Sequence, residues 1–389
     1  MDFSEFCRPF DPSVFPNLMP LRGTLGEKVT QVNDLAELLL GGFSLAVIGV
    51  PEDRNCAHNT GCAQAPDLVR RHLYSLFPDT TQPRIADLGN FIPGETPEQT
   101  YFGLQELLEC LLKNQILPIL IGGSNDLSFV QYKAYKSLEQ MITFTSIDSG
   151  FDFGYLGAPF SSDSYTERII TDDPTHLYTY CNIGYQAYYT DPEIVAMMDK
   201  LHFDVHRLAE VRGNIDHVEP VLRNTDCLAI DISAVKASDA PGNRNASPNG
   251  LYAEEICKLM KYAGLSDKIS SIGFYEYNPT VDTHEVTAKL LAQMIWCFVE
   301  AHAHRVGDYP IGDTSGYQRF IVETGETTDP FIFYKSPKSG RWWIEAPRTG
   351  VYAHQNHRQR LVPCNYEDYV SASNNKIPQT WWAYLMKTH

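Results

Sequence analysis

The sequence predicts an α/β fold: a three-layer α/β/α body on a mostly parallel sheet, followed by a small C-terminal antiparallel β addition. Three observations predict it. Short apolar runs that close on glycine, proline or aspartate alternate with helical stretches of roughly 10–20 residues, the rhythm of strands joined by crossover helices. Runs such as SLAVIGV (44–50) and LPILI (117–121) are apolar almost throughout, as strands buried on both faces are. After about residue 305 the rhythm stops, and short aromatic segments separated by Gly, Pro and Ser-rich turns take over.

In chain order, residues 1–42 read as an irregular, aromatic-rich lead-in. Residues 44–50 (SLAVIGV), closed by Pro51, are a buried strand, 65–76 (APDLVRRHLYSL) a helix and 84–88 a second strand. An amphipathic helix at 99–113 leads to the strand 117–121 (LPILI), which runs into Gly122 and Gly123. Residues 126–138 are helical, and 142–147 (ITFTSI) is a strand ending at Asp148. Short strands at 177–183 and 203–206 flank a helix at 192–201. Residues 226–232 (DCLAIDI) form a strand carrying Asp231, followed by a helix at 253–263, a strand at 269–275 and a long helix at 284–304. Residues 319–323, 330–334 and 341–345 read as a β meander, and the tail IPQTWWAYLM is apolar enough to dock. The organisation expected is a lead-in (1–42), an α/β body (43–304) and a β-rich extension (305–389).

Composition narrows the function classes. The 48 acidic residues against 31 basic ones give a formal charge of −17. Such a surface repels nucleic acid and anionic membranes, and no basic cluster overrides it. The N-terminus lacks the basic and apolar regions of a secretory signal, and no apolar run reaches the ~18 residues of a membrane span. The nine cysteines are scattered with no CxxC, which fits reduced thiols in a cytoplasmic protein. Cys227 reads as a buried strand residue. His302 and His304 read as surface residues, and Trp342, Trp343, Trp381 and Trp382 as the core of the small β unit rather than a ligand platform. Gly122 and Gly123 read as a tight strand-to-helix turn, since no P-loop lysine follows.

Ligands of open α/β sheets collect at the carboxyl ends of the strands, and three strands here end in polar signatures. They are IGGSND (121–126), IDSGFD (147–152) and IDIS (230–233). In this order they resemble the GG(D)H, DAHxD and DxD metal-binding blocks of the arginase/agmatinase/formiminoglutamase (ureohydrolase) family. Further stretches are similar: Gly49 to Pro51 with Asn59 to Gly61 and Ala65 to Arg70, the loop Asp239 to Gly242, the turn Pro248 to Leu251, and Phe274 to Pro279, where Glu276 precedes an Asn-Pro pair. The resemblance spans roughly residues 44–304. It implies an arginase-like parallel sheet and, in the intact family, a manganese pair sharing a hydroxide that attacks a guanidinium or formimino carbon.

Carried over residue by residue, the ligand set is incomplete. Asn125 stands for the first-block histidine, Gly150 for the second-block histidine and Ser233 for the last aspartate, while Asp148, Asp152 and Asp231 remain. Asn125, Asp148, Asp152 and Asp231 make an oxygen-rich nest for one hard cation, Mn²⁺, Mg²⁺ or Ca²⁺; the neighbouring position has lost its own ligands, so an intact two-manganese cluster is not expected. Asp231 and Glu276 are the residues the resemblance places in the reaction itself. Glu276 matches the glutamate that pairs with a substrate guanidinium; equally, it reads as a strand-end carboxylate capping a local group. The segments 154–160 and 183–189 lack the acidic residues that arginine binding requires, so arginine is not the expected substrate.

These losses lead to the expectation of a non-catalytic or repurposed ureohydrolase-fold subunit, structural or regulatory. Its terminal additions would contact another copy or a protein partner, and neither nucleic acid nor membrane is expected. The alternatives are a hydrolase of linear amidines using one cation, by the logic of Asp148, Asp152, Asp231 and Glu276 surviving together, and a small-molecule sensor.

Overall fold

The computed structural model describes residues 1–11, 22–79, 83–154, 157, 159–310, 314–325, 329–346 and 361–388. Its strands are β1 (Cys7–Arg8), β2 (Thr30–Gln31), β3 (Leu45–Val50), β4 (Ile85–Phe91), β5 (Leu117–Gly122), β6 (Ile142–Ile147), β7 (Leu177–Tyr185), β8 (Asp204–Arg207), β9 (Cys227–Asp231) and β10 (Ser271–Tyr275), all in one sheet, then β11 (Gln318–Val322), β12 (Phe331–Lys335), β13 (Trp342–Glu345) and β14 (Leu361–Cys364) in another. The large sheet runs β1-β4-β3-β5-β10-β9-β6-β7-β8, with β2 also on β4. Every pairing in it is parallel except β1 with β4.

Period two within the apolar runs builds the three layers. Leu45 and Val47 face a core shared with the helices Ala65–Tyr74, Ala253–Gly264 and Val286–His302. Ala46, Ile48 and Val50 face the opposite core, filled by Pro97–Lys113, Leu127–Lys133 and Tyr165–Ile170. Both sides of each central strand are buried, so β3 and β5 show no polar alternation, while β6 buries Thr143, Thr145 and Ser146. Among the described residues no helix is long and apolar enough to cross a membrane.

Two departures from the sequence reading have physical causes. The lead-in is not irregular throughout: Cys7 pairs with Phe91 and Thr30 with Ala86, so β1 and β2 satisfy the outer backbone of β4, which would otherwise be a bare edge. Strands of two residues carry no periodicity to read. Residues 12–21 of the lead-in lie outside the described residues. In the extension, the three expected strands gain a fourth, β14, whose Pro363 argues against a strand; at the edge of the sheet its missing N–H costs nothing. The helices Tyr366–Ser373 and Gln379–Thr388 complete this unit.

The extension is tied to the body through Arg223. Alternation on β13 sends Trp342 into the small core with Phe331, Phe333 and Ile344, and Trp343 to the other side, where it is fully buried. The Arg223 guanidinium, also buried, stacks on the Trp343 ring at 4.6 Å and donates to Trp342 O at 3.0 Å and Cys364 O at 2.9 Å. It pairs with Glu219 at 3.1 Å. Replacing it with methionine removes the donor to two carbonyls and leaves Glu219 with Arg341, at 3.4 Å, as its cationic partner. Arg223→Met is expected to lose about 3 kcal/mol or more. Hydrogen exchange should quicken first in Trp342–Glu345 and Leu361–Cys364; protection there equal to wild type would show that the tie carries nothing.

Candidate metal centre

Four adjacent strands deliver the site. β5, β10, β9 and β6 lie side by side, and from there the chain passes outward to β3 on one flank and β7 on the other. This is the switch point of an open α/β sheet, where a crevice forms beyond the strand ends. Into it come Asn125 after β5, Asp148 and Asp152 after β6, Asp231 at the end of β9 and Glu276 after β10.

The exit of β5 requires glycine. A Cβ on Gly123 would stand 1.7 Å from the Glu52 carbonyl oxygen. With that space open, Gly123 N donates to Val50 O at 2.9 Å and Ser124 N to Glu52 O at 3.0 Å, and the chain turns Asn125 into the crevice. Two site residues hold left-handed backbone, Asp152 at φ 45° and Glu276 at φ 64°. Such residues cost roughly 1–3 kcal/mol each and persist where surroundings fix them. For Glu276 the surroundings are plain: its N–H donates to Gly123 O at 2.9 Å, and its carbonyl accepts from Asn59 Nδ2 at 2.8 Å and Asn243 Nδ2 at 3.1 Å.

Asp148, Asp152 and Asp231 bring carboxylate oxygens within 4.8 Å of one another. Asn125 Nδ2 donates to one oxygen of each, at 3.5, 3.2 and 3.2 Å, while its Oδ1 accepts from Ser128 Oγ at 2.7 Å. The remaining oxygens of two of them are held from outside: Asp148 Oδ1 accepts from Gly150 N at 3.0 Å, and Asp231 Oδ1 from Ser233 N at 2.7 Å. Each carboxylate is therefore turned with one oxygen inward.

The cluster is electrostatically uncompensated. Among the described residues no Lys, Arg or His forms an ion pair with these three or with Glu276. Burial pushes the Asp148 carboxyl up to about 6. Burial, then the neighbouring Asp148 and Asp231, raise Asp152 well above the carboxylate range, and burial with Asp148 does the same to Asp231. Glu276 is likewise raised by burial and by Asp231. A divalent cation among the inward oxygens would reverse each of these penalties.

The donor set fits one hard cation. Asn125 presents an amide nitrogen, so its oxygen becomes a ligand only if the amide turns over and releases Ser128. At the second metal position the residues do not fit: Gly150 supplies only backbone, and the Ser233 hydroxyl is engaged by Ser149 Oγ at 3.0 Å and Asp148 Oδ1 at 3.4 Å. All sequence-derived site residues thus converge, with Asn125 in an unexpected orientation. Of the segment 154–160, Tyr155, Leu156 and Ala158 lie outside the described residues. Sequence reasoning missed Cys56 and Cys62, whose sulfurs stand beside Glu276. The only signal was their place around the Asn59 to Gly61 stretch.

Comparison with known proteins agrees with this architecture. The model of the arginase family matches residues 43–300. The formimidoylglutamase of Staphylococcus haemolyticus is 26% identical over 304 residues, covering 74% of this chain and 94% of that protein. The crystal structure of Trypanosoma cruzi formiminoglutamase with Mn²⁺ aligns at TM-score 0.63 and 21% identity, over 68% of this chain and 95% of the other. Proclavaminate amidino hydrolase of Streptomyces clavuligerus aligns at 0.59 and 18%, over 68% and 93%. The two structural likenesses speak for the fold.

The crowding predicts a measurable pH effect. Asp148 is raised from 3.8 to about 6, so its contribution to stability is full below about 4 and is lost as pH rises through 6. At pH 7 without divalent cation, Asp148→Asn should melt higher than wild type, by up to about 3 kcal/mol. Adding Mn²⁺ should stabilise wild type and leave the variant unmoved. A variant less stable than wild type in chelator at pH 7 would contradict the crowding.

Proposed function

The chain belongs to the arginase family, and from that premise we propose that it is a divalent-cation-dependent hydrolase of the C–N bond of a linear amidine, with a formimino compound as the favoured substrate class. The observation that carries this is the convergence of Asp148, Asp152 and Asp231 within 4.8 Å, next to the buried carboxylate of Glu276. The similarity to formimidoylglutamases supports the substrate class, and the Mn²⁺ of the Trypanosoma cruzi relative supports the cation.

A bound cation would supply an acidified water held against an electrophilic carbon. Asp148, Asp152 and Asp231 would hold it through their inward oxygens. Glu276 would pair with the amidinium, its carboxylate fixed by Asn125 N on Oε1 and Asn59 Nδ2 on Oε2, both at 2.9 Å. Those two neutral donors orient the carboxyl group, and an amidinium beside it would favour the charged form that burial disfavours. Burial of the pair strengthens that attraction relative to water.

A second reading is favoured by Gly150 and Ser233: a family member that keeps the cation and the pocket but no chemistry. One experiment separates the two. The purified chain, loaded with Mn²⁺ and its metal content measured, is given a panel of formimino and guanidino compounds, with formamide, urea and ammonia as readouts. Release above blank is expected for a formimino compound, and Asp231→Asn should lower the rate at least about a hundredfold. Bound cation with no turnover across the panel would leave the second reading standing.

A further inference from the structure

We propose that Cys56, Cys62 and Glu276 form a separate soft-cation site that takes Zn²⁺ beside the carboxylate cluster. Cys56 Sγ lies 3.8 Å from Glu276 Oε2 and 4.0 Å from Oε1, and Cys62 Sγ lies 3.8 Å from Oε2. One donor atom from each of the three residues falls within 4.8 Å of the others. In tetrahedral zinc, with Zn–S about 2.3 Å and Zn–O about 2.0–2.2 Å, bound sulfur and oxygen stand about 3.5 Å apart and two sulfurs about 3.8 Å. The sulfur-to-oxygen separations here are therefore within about half an ångström of a ligand set, before any adjustment to the ion.

Two further observations point to a cation at this place. Each sulfur accepts a hydrogen bond from Asn59: its backbone N–H reaches Cys56 Sγ at 3.2 Å and its Nδ2 reaches Cys62 Sγ at 3.1 Å. N–H donors of this kind surround thiolate ligands and hold them in place. The carboxylate is buried without a cationic partner among the described residues. The loop carrying the thiols is also built to shape: Asp53 Oδ2 accepts from Gly61 N at 2.7 Å and Ala63 N at 3.2 Å, and Asn278 Nδ2 donates to Asn59 O at 3.2 Å. Without the ion, Cys62 donates its proton to Asn59 O at 2.8 Å; zinc would displace that proton and the one on Cys56.

The two sites would sort metals by softness, thiolates selecting zinc and the aspartates a hard cation. Because Glu276 belongs to both the thiol site and the amidine position, zinc here would exclude the substrate; this last consequence rests on the hydrolase reading, whereas the zinc site does not. The test uses no activity. The reduced full-length chain is titrated with Zn²⁺, and with Co²⁺ as a spectroscopic stand-in. We expect one high-affinity zinc that survives Asp152→Asn and a thiolate-to-cobalt charge-transfer band. Cys56→Ser, at a half-buried position that tolerates the change, should weaken zinc at least about a hundredfold and remove the band. Cys62→Ser should do the same where it folds. Unchanged zinc affinity in Cys56→Ser, absence of the cobalt band, or a Cys56–Cys62 disulfide forming in the presence of zinc would each overturn the proposal.

Discussion

Mutual repulsion among three buried carboxylates and the half-buried Asp152 is the constraint around which the crevice is organised. The register of β6, β9 and β10 carries Asp148, Asp231 and Glu276 to the same edge of the sheet, and the turn after β6 adds Asp152. Among the described residues the side chains that bond the three aspartates are neutral, the Asn125 amide to all three and the Ser233 hydroxyl to Asp148. Such an arrangement is unfavourable in a metal-free protein, and the two left-handed backbones at Asp152 and Glu276 add to the cost. The surrounding sheet, with its central strands dry on both faces, offsets it. Local strain in a rigid frame is the signature of a site selected for what it holds rather than for its own stability.

The metal positions are not merely depleted; one has been put to a different use. Where the family pattern has a histidine and an aspartate, this chain has Gly150 and Ser233, and their backbone N–H groups pin the outer oxygens of Asp148 and Asp231. Pinning the outer oxygens commits the inner ones to a single centre. The thiols on the far side of Glu276 give the crevice a second character, soft where the aspartates are hard.

Much of this was legible in the sequence because it is local. An apolar run that ends in aspartate or in Gly-Gly marks a buried strand and its polar end, and the resemblance to the ureohydrolase blocks then singled out Asp148, Asp231 and Asn125 there. What was not legible is tertiary. The thiol of Cys62 and the carboxylate of Glu276 are 214 residues apart, and no spacing rule joins them. The direction in which the Asn125 amide points depends on Ser128 and on three carboxylates from two other strands. β1 and β2 are too short for periodicity, and Pro363 disguised β14. The expectation of a subunit without chemistry came from counting the losses at Asn125, Gly150 and Ser233; likeness to formimidoylglutamases shifts the weight to the hydrolase.

The seam at Arg223 has a consequence for how such a chain can change over time. Besides Glu219 in the body, its guanidinium finds two acceptors on main-chain carbonyls of the extension, and it finds those only while β13 and β14 are present. Body and extension are coupled through that one side chain. A gene fusion, an alternative stop codon or a proteolytic trim that shed the extension would take away two of the guanidinium's acceptors and the ring stacked on it, leaving Glu219 as its partner. The extension is thus held both by its backbone, which any sequence there would supply, and by particular side chains such as Trp343 and Arg341, which it must keep.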